Sequence, residues 1–301
     1  MAERDYARVH PVPERPSYLP GTSIEVVRPV SLREPPRHVL FDFDGTLSLI
    51  REGWMDIMVP MLADKLGPYA RKGEDRAAIE ALVRDFVAAL TGKQTIYQMI
   101  RLAEEIRARG GVPGDPADYK AEYHERLMSR IASRREGLAS GSIPREDMLV
   151  PGSLDILGLL RDRGVAIYVA SGTDERYVLE EAALLGIDEF APGRIYGALA
   201  DKASFSKEMV IERILRENRV EGRALLAFGD GYVEIADSRA AGGTAVAVAS
   251  DEAGRSGRPD AWKRERLVGA GADLVIPDYR EARALVDYLW SPAAGAAGGR
   301  R

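Results

Sequence analysis

Two aspartates that follow a short apolar segment are the residues of this sequence whose types and spacing best suit chemistry. The segment His38–Phe41 leads into Asp42 and Asp44, and Gly45 and Thr46 follow. A short apolar run that ends near a glycine is typical of a buried parallel strand. Side chains alternate along a strand, so both carboxylates can lie on the same side of the chain. Carboxylates this close repel each other unless a cation or a shared proton relieves the repulsion, so the motif indicates a metal site or a proton-transfer site.

The same motif has a simpler interpretation. Asp-x-Asp-Gly at the end of a strand can be an ordinary turn, in which an aspartate caps the backbone and Gly45 supplies a positive φ. Short motifs of this kind also match by chance, so the choice depends on which other residues reach the same edge of the sheet.

A second polar group ends another predicted strand, at 165–170. Ser171, Gly172 and Thr173 follow that strand and precede a predicted helix. A hydroxyl and free backbone N–H groups at a helix start suit a phosphate oxygen. Taken alone, the same residues also fit an ordinary helix cap.

A lysine and two acids complete the set. Lys207 opens a predicted helix, at the end where the helix dipole disfavours a lysine, which suggests an anionic partner. A solvated lysine is the alternative, and Lys202 is a nearby rival for the same role. Asp230 lies between two glycines at the end of a predicted strand, and Glu234 follows four residues later. Carboxylates in such a place suit a hard cation, although a turn is again the alternative.

The order of the predicted elements brings these groups together. From about residue 151 helical and strand-like segments alternate, which predicts an α/β fold with a doubly wound, mostly parallel sheet. Ligands bind at the carboxyl ends of such strands, so the acids, the serine and the lysine are expected to hold a Mg²⁺-bound phosphoryl group. Residues 53–145 show helical spacing throughout and predict an all-helical cap inserted into this core, which comprises 37–52 and 146–290.

The two ends of the chain are predicted to lie outside the core. Residues 1–36 contain seven prolines and are expected to form an extended arm, in which Ile24–Val27 can add an edge strand. Residues 291–301 are mostly small and are expected to form a flexible tail.

Composition excludes several classes of protein. The net charge of −5 does not favour nucleic acid as a partner. The absence of cysteine excludes disulfides and thiolate metal sites. No apolar run approaches the roughly 18 residues of a membrane-spanning helix, and no export signal is visible, so a cytoplasmic enzyme without membrane contact is expected. The sequence does not indicate an oligomeric state.

These motifs, in this order, resemble the haloacid dehalogenase-like superfamily in its phosphatase branch. The resemblance covers about residues 38–280 and depends most on Asp42-Phe43-Asp44-Gly45-Thr46. The spacing from Asp42 to Ser171 leaves room for a helical cap after the first strand, as in subfamily I, to which phosphoglycolate phosphatases and β-phosphoglucomutases belong. Glu234 stands where many members have aspartate, which is a departure from the family pattern.

The resemblance implies a role for each catalytic residue. Asp42 would attack phosphorus and become a phosphoaspartate. Asp44 would protonate the leaving oxygen and then deprotonate the hydrolytic water. Ser171 would bind a phosphoryl oxygen, and Lys207 would neutralise the nucleophile and the phosphate. A carboxylate nucleophile of this kind divides one difficult step into two easier ones.

The resemblance also implies a Mg²⁺ site and a substrate site. The metal would be held by Asp42, Asp230 and the backbone carbonyl of Asp44, with Glu234 in support. The loop Thr91–Thr95 is polar and broken by a glycine, and it either faces the substrate or is an ordinary solvated loop. Arg51 and Trp54 are candidate gate residues, with surface packing as the alternative. The residues expected to bind substrate are Gly45, Thr46, Gly172, Thr173, Lys93 and Gln94.

The sequence therefore predicts a Mg²⁺-dependent phosphatase of a small phosphorylated metabolite, such as a sugar phosphate or a phosphoglycolate-like compound. A phosphomutase of the same fold is the nearest alternative. A non-catalytic binding protein is a second alternative, and the presence of all the acids and of the lysine argues against it.

Overall fold

The computed structural model describes residues 6–30, 35–199 and 204–291, and in these residues seven strands form one sheet. The strands are β1 (Glu25–Val26), β2 (His38–Phe41), β3 (Ala166–Asp174), β4 (Ile195–Ala198), β5 (Leu225–Gly229), β6 (Thr244–Val248) and β7 (Leu274–Ile276). Their order across the sheet is β1-β7-β6-β5-β2-β3-β4. Every neighbouring pair is parallel except β1 and β7. This arrangement confirms the predicted α/β fold with a mostly parallel sheet.

Helices fill the segments between the strands. Between β2 and β3 lie α1 (Met55–Leu66), α2 (Arg76–Ala89), α3 (Ile96–Ala108) and α4 (Pro116–Ser140). The later helices are α5 (Ser153–Asp162), α6 (Glu175–Leu185), α7 (Lys207–Asn218), α8 (Tyr232–Ala240), α9 (Ala261–Ala270) and α10 (Ala282–Trp290). No helix in the described part of the chain combines the length and the apolar character needed to cross a membrane.

Both faces of the sheet are buried, as the unbroken apolar pattern of β2 requires. Val39 and Phe41 belong to the same hydrophobic cluster as residues of α5 and α10. Leu40, which points the other way, belongs to a cluster with residues of α7. The central strand is therefore packed by helices on both sides, and polar chemistry can occur only at its end.

The register of the central strands aligns their carboxyl ends. Phe41, the last residue of β2, lies opposite Val169 of β3 and Phe228 of β5. Consequently the residues that follow these three positions reach the same edge of the sheet. The polar residues predicted at the three strand ends all lie in those following segments.

The third strand is longer than the sequence predicts. It continues past 170 to Asp174, so Ser171 and Thr173 lie within β3 rather than after it. The pairing with β4 shifts between Ala170 and Asp174, which marks an irregular stretch at the serine. Pairing resumes where Asp174 meets Ala198, and this late contact explains why the strand does not end at the predicted place.

Helices α1–α4 pack against one another and bury a continuous apolar interior. Met61, Val83, Leu102 and Ile131, one from each helix, are fully buried. The same hydrophobic cluster also includes residues of the sheet. The division of the chain at 53 and 145 into cap and core stays a prediction.

The N-terminal segment contacts α9, where the backbone N–H groups of Val9 and His10 donate to the carbonyl of Gly269, and it adds one strand to the sheet. β1 lies within the predicted Ile24–Val27 segment and pairs antiparallel with β7. Glu25 is fully buried there and forms an ion pair with Arg264, at 2.6 Å. Residues 292–301 of the predicted tail, and Lys202, lie outside the described residues.

Candidate active site

A buried lysine joins two buried carboxylates at the end of β2. The backbone N–H of Asp42 continues the ladder by donating to the carbonyl of Phe228, at 2.9 Å. Its Oδ1 lies 2.8 Å from Nζ of Lys207, the first residue of α7. Nζ also donates to Oε2 of Glu234, at 2.9 Å. The three side chains are each at least nine-tenths buried, so their charges interact in a poorly hydrated environment.

The surroundings of these groups determine their protonation. Burial alone lowers the pKa of Lys207, but the carboxylates of Asp42 and Glu234 outweigh burial and raise it, so the ammonium form is retained. Burial raises the pKa of Asp42, Lys207 opposes this, and the negative charges of Glu234 and Asp230 add to the rise. A divalent cation beside these oxygens would favour the ionised Asp42.

Three carboxylates form a group that fits such a cation. Oxygen atoms of Asp42, Asp230 and Glu234 all lie within 4.8 Å of one another. A donor set made only of carboxylate oxygens suits a hard cation such as Mg²⁺. Oε1 of Glu234 also accepts the backbone N–H of Gly231, at 2.6 Å, which orients this acid at the start of α8. The backbone N–H of Asp230 donates to Oγ1 of Thr46, at 3.0 Å.

The second aspartate of the motif is held by the hydroxyls of β3. Oδ2 of Asp44 accepts hydrogen bonds from Oγ of Ser171, at 3.0 Å, and from Oγ1 of Thr173, at 2.9 Å. Oδ1 is buried and has no hydrogen-bond partner. The nearest cation is Nε of Arg51, 3.7 Å away. One oxygen of Asp44 is therefore fixed, and the other keeps an unused acceptor position.

A second, largely buried lysine contacts one candidate metal ligand, and no sequence pattern predicted it. Nζ of Lys263, on α9, lies 2.8 Å from Oδ2 of Asp230, 3.0 Å from Oγ of Ser250 and 2.6 Å from Oε1 of Glu252. Burial alone lowers the pKa of this lysine, but the two carboxylates raise it. No local motif marks Lys263, because its partners come from distant segments.

Arg51 lies beside Asp44 in a buried ion pair. Its Nε and Nη2 donate to both oxygens of Glu181, at 3.0 and 2.8 Å. Glu181, on α6, is fully buried. A sequence signal for this acid does exist: it occupies the apolar face of α6 next to Ala182, where an unpaired charge would be very costly. The guanidinium is shared between two acids, so the region around Asp44 carries no excess positive charge.

A cavity of about 110 Å³ opens over these groups. The sheet edge contributes the catalytic candidates, and the helical segment contributes the opposite lining. Arg51, Trp54 and Lys93 line this cavity, whereas Gln94 does not: its Nε2 donates to the carbonyl of Phe205, at 2.7 Å. Residues on the sheet side are Asp42, Asp44, Gly45, Ser171, Gly172, Thr173, Lys207, Asp230 and Glu252, and those on the other side include Trp54, Met58, Thr91, Gly92, Lys93, Thr95, Gln98, Tyr123 and Leu127.

Comparison with known proteins identifies the family. The family model of haloacid dehalogenase-like hydrolases matches residues 36–242, which include Asp42, Ser171, Lys207 and Glu234.

The chain belongs to the haloacid dehalogenase-like hydrolase family.

Solved structures agree with this family assignment and show the same fold. A predicted phosphoglycolate phosphatase from Haemophilus somnus 129PT is 15% identical, with a TM-score of 0.53 and coverage of 83% of this chain and 97% of that chain. A haloacid dehalogenase-like protein of unknown function from Agrobacterium tumefaciens C58 is 15% identical, with a TM-score of 0.54 and coverage of 85% and 100%. A β-phosphoglucomutase from Clostridium difficile is 14% identical, with a TM-score of 0.54 and coverage of 84% and 97%. No curated protein sequence matches the chain.

In this hydrolase the backbone of the loop Thr91–Thr95 lies close to two glycines of the sheet edge. A Cβ atom added to Gly172 would lie 2.9 Å from the carbonyl oxygen of Lys93. A Cβ atom added to Gly231 would lie 2.7 Å from Cα of Gly92. Both distances are too short for a real Cβ, so these glycines allow the loop backbone to approach the site. The matched family range ends before Glu252 and Lys263, so these two lie outside the part of the chain that the family model describes.

Proposed function

We propose that this hydrolase is a Mg²⁺-dependent phosphatase that hydrolyses a small phosphorylated metabolite through a phosphoaspartate on Asp42. The observation that carries the proposal is the contact between the Asp42 carboxylate and the Lys207 ammonium, both of which line the cavity. Phosphoryl transfer depends mainly on positioning and on charge stabilisation, and this pair supplies both. The neighbouring phosphatase and phosphomutase folds are consistent with the proposal.

In the first step Asp42 forms a bond to phosphorus. Lys207 holds Oδ1, which leaves the other oxygen of the carboxylate to attack. As the new P–O bond forms, the bond from phosphorus to the leaving oxygen breaks, and protonated Asp44 gives that oxygen its proton. The ammonium of Lys207 stabilises the negative charge that gathers on the phosphoryl oxygens.

In the second step water replaces Asp42. Asp44, now a carboxylate, takes a proton from a water molecule while the water oxygen attacks phosphorus. The P–O bond to Asp42 breaks, which releases inorganic phosphate and the free carboxylate. Ser171 and Thr173 keep Asp44 in one orientation through both steps. When bound, Mg²⁺ would be held by Asp42, Asp230 and Glu234, with the Asp44 carbonyl, and would neutralise phosphoryl charge.

Removal of the metal is expected to abolish phosphate release. The carboxylates of the cluster repel one another and need a cation to hold a dianionic phosphoryl group. The test measures inorganic phosphate released from a panel of phosphorylated metabolites after treatment with EDTA, and again after addition of Mg²⁺ or Zn²⁺. Mg²⁺ should restore the activity better than Zn²⁺ because the ligands are all hard oxygens. Full activity of the metal-free protein would contradict the proposal.

The same panel separates the alternative functions. A phosphatase releases phosphate, a phosphomutase yields only an isomer of the substrate, and a binding protein yields neither product. The assignment of residues 53–145 as a cap, a cytoplasmic location and the absence of a nucleic-acid partner are part of the proposal and stay predictions.

Replacement of Gly172 by alanine is expected to lower kcat/KM about tenfold, because the new methyl group would push the loop Thr91–Thr95 away from the site. The measurement is steady-state turnover of any phosphate ester that the wild type hydrolyses. Gly158→Ala in α5 is the matched control, since its methyl group meets nothing within 4 Å. Equal turnover of the two variants would show that the close approach of the loop has no functional importance.

A further inference from the structure

The side chain of Gln98 is a buried amide without a hydrogen bond. It belongs to α3, is only 4% exposed and lines the cavity over Asp42. Within the described residues, no group donates to its Oε1. Buried polar atoms are almost always paired, and an unpaired one at a cavity wall calls for an explanation such as a missing ligand.

A second buried glutamine, in the loop before α3, shows that the fold can provide a hydrogen-bond partner for such a group. Gln94 is 3% exposed, and its Nε2 donates to the carbonyl of Phe205, at 2.7 Å. Gln94 does not line the cavity, whereas Gln98 does. The amide without a hydrogen bond therefore belongs to the residue that lines the cavity, and the paired amide belongs to the residue that does not.

The surroundings of Gln98 favour an uncharged ligand group. Met58 and Leu127 contribute apolar lining, and Thr95 contributes a hydroxyl. Two charged side chains of the lining have partners of opposite charge: Arg51 pairs with Glu181, and Glu52 pairs with Arg134, at 2.9 Å. Lys93 lies over the ring of Tyr97, with Nζ 5.4 Å from the ring centre. A lining of apolar carbon with amide and hydroxyl groups suits a ligand that has both C–H surface and hydroxyls.

We infer that Gln98 determines specificity by hydrogen-bonding a hydroxyl of the leaving group, so that the substrates are monophosphates of small neutral polyols. The inference rests on the proposed phosphatase function. A hydroxyl both donates and accepts, so it can pair with either end of the amide. An analogue without the hydroxyl leaves the amide unpaired, and sites of this kind reject such analogues strongly.

The test compares phosphate esters that differ by hydroxyls. Glycerol 1-phosphate is paired with propyl phosphate, and 2-hydroxyethyl phosphate with ethyl phosphate. The wild type is expected to prefer the hydroxylated member of each pair by about 10- to 100-fold in kcat/KM. Gln98→Met keeps the side-chain volume but removes the amide, so the preference is expected to fall below about threefold through a loss of kcat/KM on the hydroxylated ester of each pair.

Thermal melting of the ligand-free variants separates recognition from a structural role. Gln98→Met should melt at the wild-type temperature or above, because it removes an unpaired buried group. Gln94→Met is the matched control: it leaves the Phe205 carbonyl without its partner, so it should melt lower yet keep the hydroxyl preference of the wild type.

The remaining outcomes distinguish an error in the inference about Gln98 from an error in the proposed phosphatase function. The inference is wrong if the wild type shows no hydroxyl preference, if Gln98→Met keeps it, or if Gln98→Met melts as low as Gln94→Met. Release of phosphate from p-nitrophenyl phosphate together with any of these results leaves the phosphatase function intact. No release from any of the five esters by the metal-loaded wild type would instead refute the proposed function and the inference with it.

Discussion

Asp42→Asn is expected to lose phosphate release from every substrate, because an amide cannot form the phosphoaspartate. Asparagine nearly preserves the size of the side chain, and Lys207 keeps Glu234 as a partner, so the fold should survive. The measurement is phosphate release together with mass spectrometry of quenched protein. The wild-type peptide that contains Asp42 should gain one phosphoryl group during turnover, and the Asp42→Asn peptide should not.

Asp44→Asn is the matched control for that variant, since it changes the neighbouring acid and leaves the nucleophile. An alkoxide leaving group needs a proton, so turnover of a sugar phosphate should fall about 10²- to 10⁴-fold. An aryl leaving group needs a proton less, so the first step should be slowed less in Asp44→Asn. The second step still lacks the base that takes a proton from water. Phosphorylated Asp42 should therefore accumulate with the aryl substrate.

Two results would contradict this division of labour between the aspartates. An active Asp42→Asn protein together with an inactive Asp44→Asn protein would show that the two roles are assigned the wrong way round. A phosphoryl group on Ser171 would show that the nucleophile is the serine hydroxyl, which in the structure donates to Asp44.

Lys207→Met is expected to lose both activity and stability. The substitution leaves Asp42 and Glu234 buried side by side without a counter-charge, and breaking a buried ion pair in this way costs about 3–5 kcal/mol of unfolding free energy. Turnover should fall below detection, because the charge that stabilises the phosphoryl oxygens is lost. Urea unfolding in EDTA and phosphate release with Mg²⁺ measure the two effects separately.

Lys263→Met provides the comparison for the second lysine. This substitution also removes a largely buried ammonium from two carboxylates, here Asp230 and Glu252, and the described residues include no ion pair between Lys263 and Asp42. A similar loss of stability is expected, with a smaller loss of turnover and with phosphoenzyme still formed. Equal loss of turnover in both variants would show that Lys207 acts only by holding the fold together.

Much of the site was predictable because its residues are attached to local patterns. Asp42 and Asp230 follow apolar runs that end near glycines, and Lys207 opens a helix. Parallel strands place their carboxyl ends at one edge, so the order of elements was enough to predict that these residues meet. The register at Phe41 now shows the alignment directly.

Partners supplied by distant segments were not predictable in this way. Lys263 reaches Asp230 from α9, and Glu181 reaches Arg51 from α6, yet neither residue lies in a motif with its partner. A charge on a buried helix face signals that some partner exists, but its identity depends on how helices pack around the sheet.

Gln94 and Gln98 show which properties of a buried side chain depend on tertiary structure rather than on local sequence. Both glutamines are buried, and the sequence predicted substrate binding for Gln94, in the loop before α3, but not for Gln98, four positions later in α3. Only the folded chain brings the carbonyl of Phe205, 111 positions away, to Gln94 and leaves Gln98 at the cavity. Periodicity and turn residues act over a few positions and determined the elements and the strand-end residues of this protein. Long-range packing decided that Gln94 is paired within the protein and that Gln98 lines the cavity without a hydrogen bond.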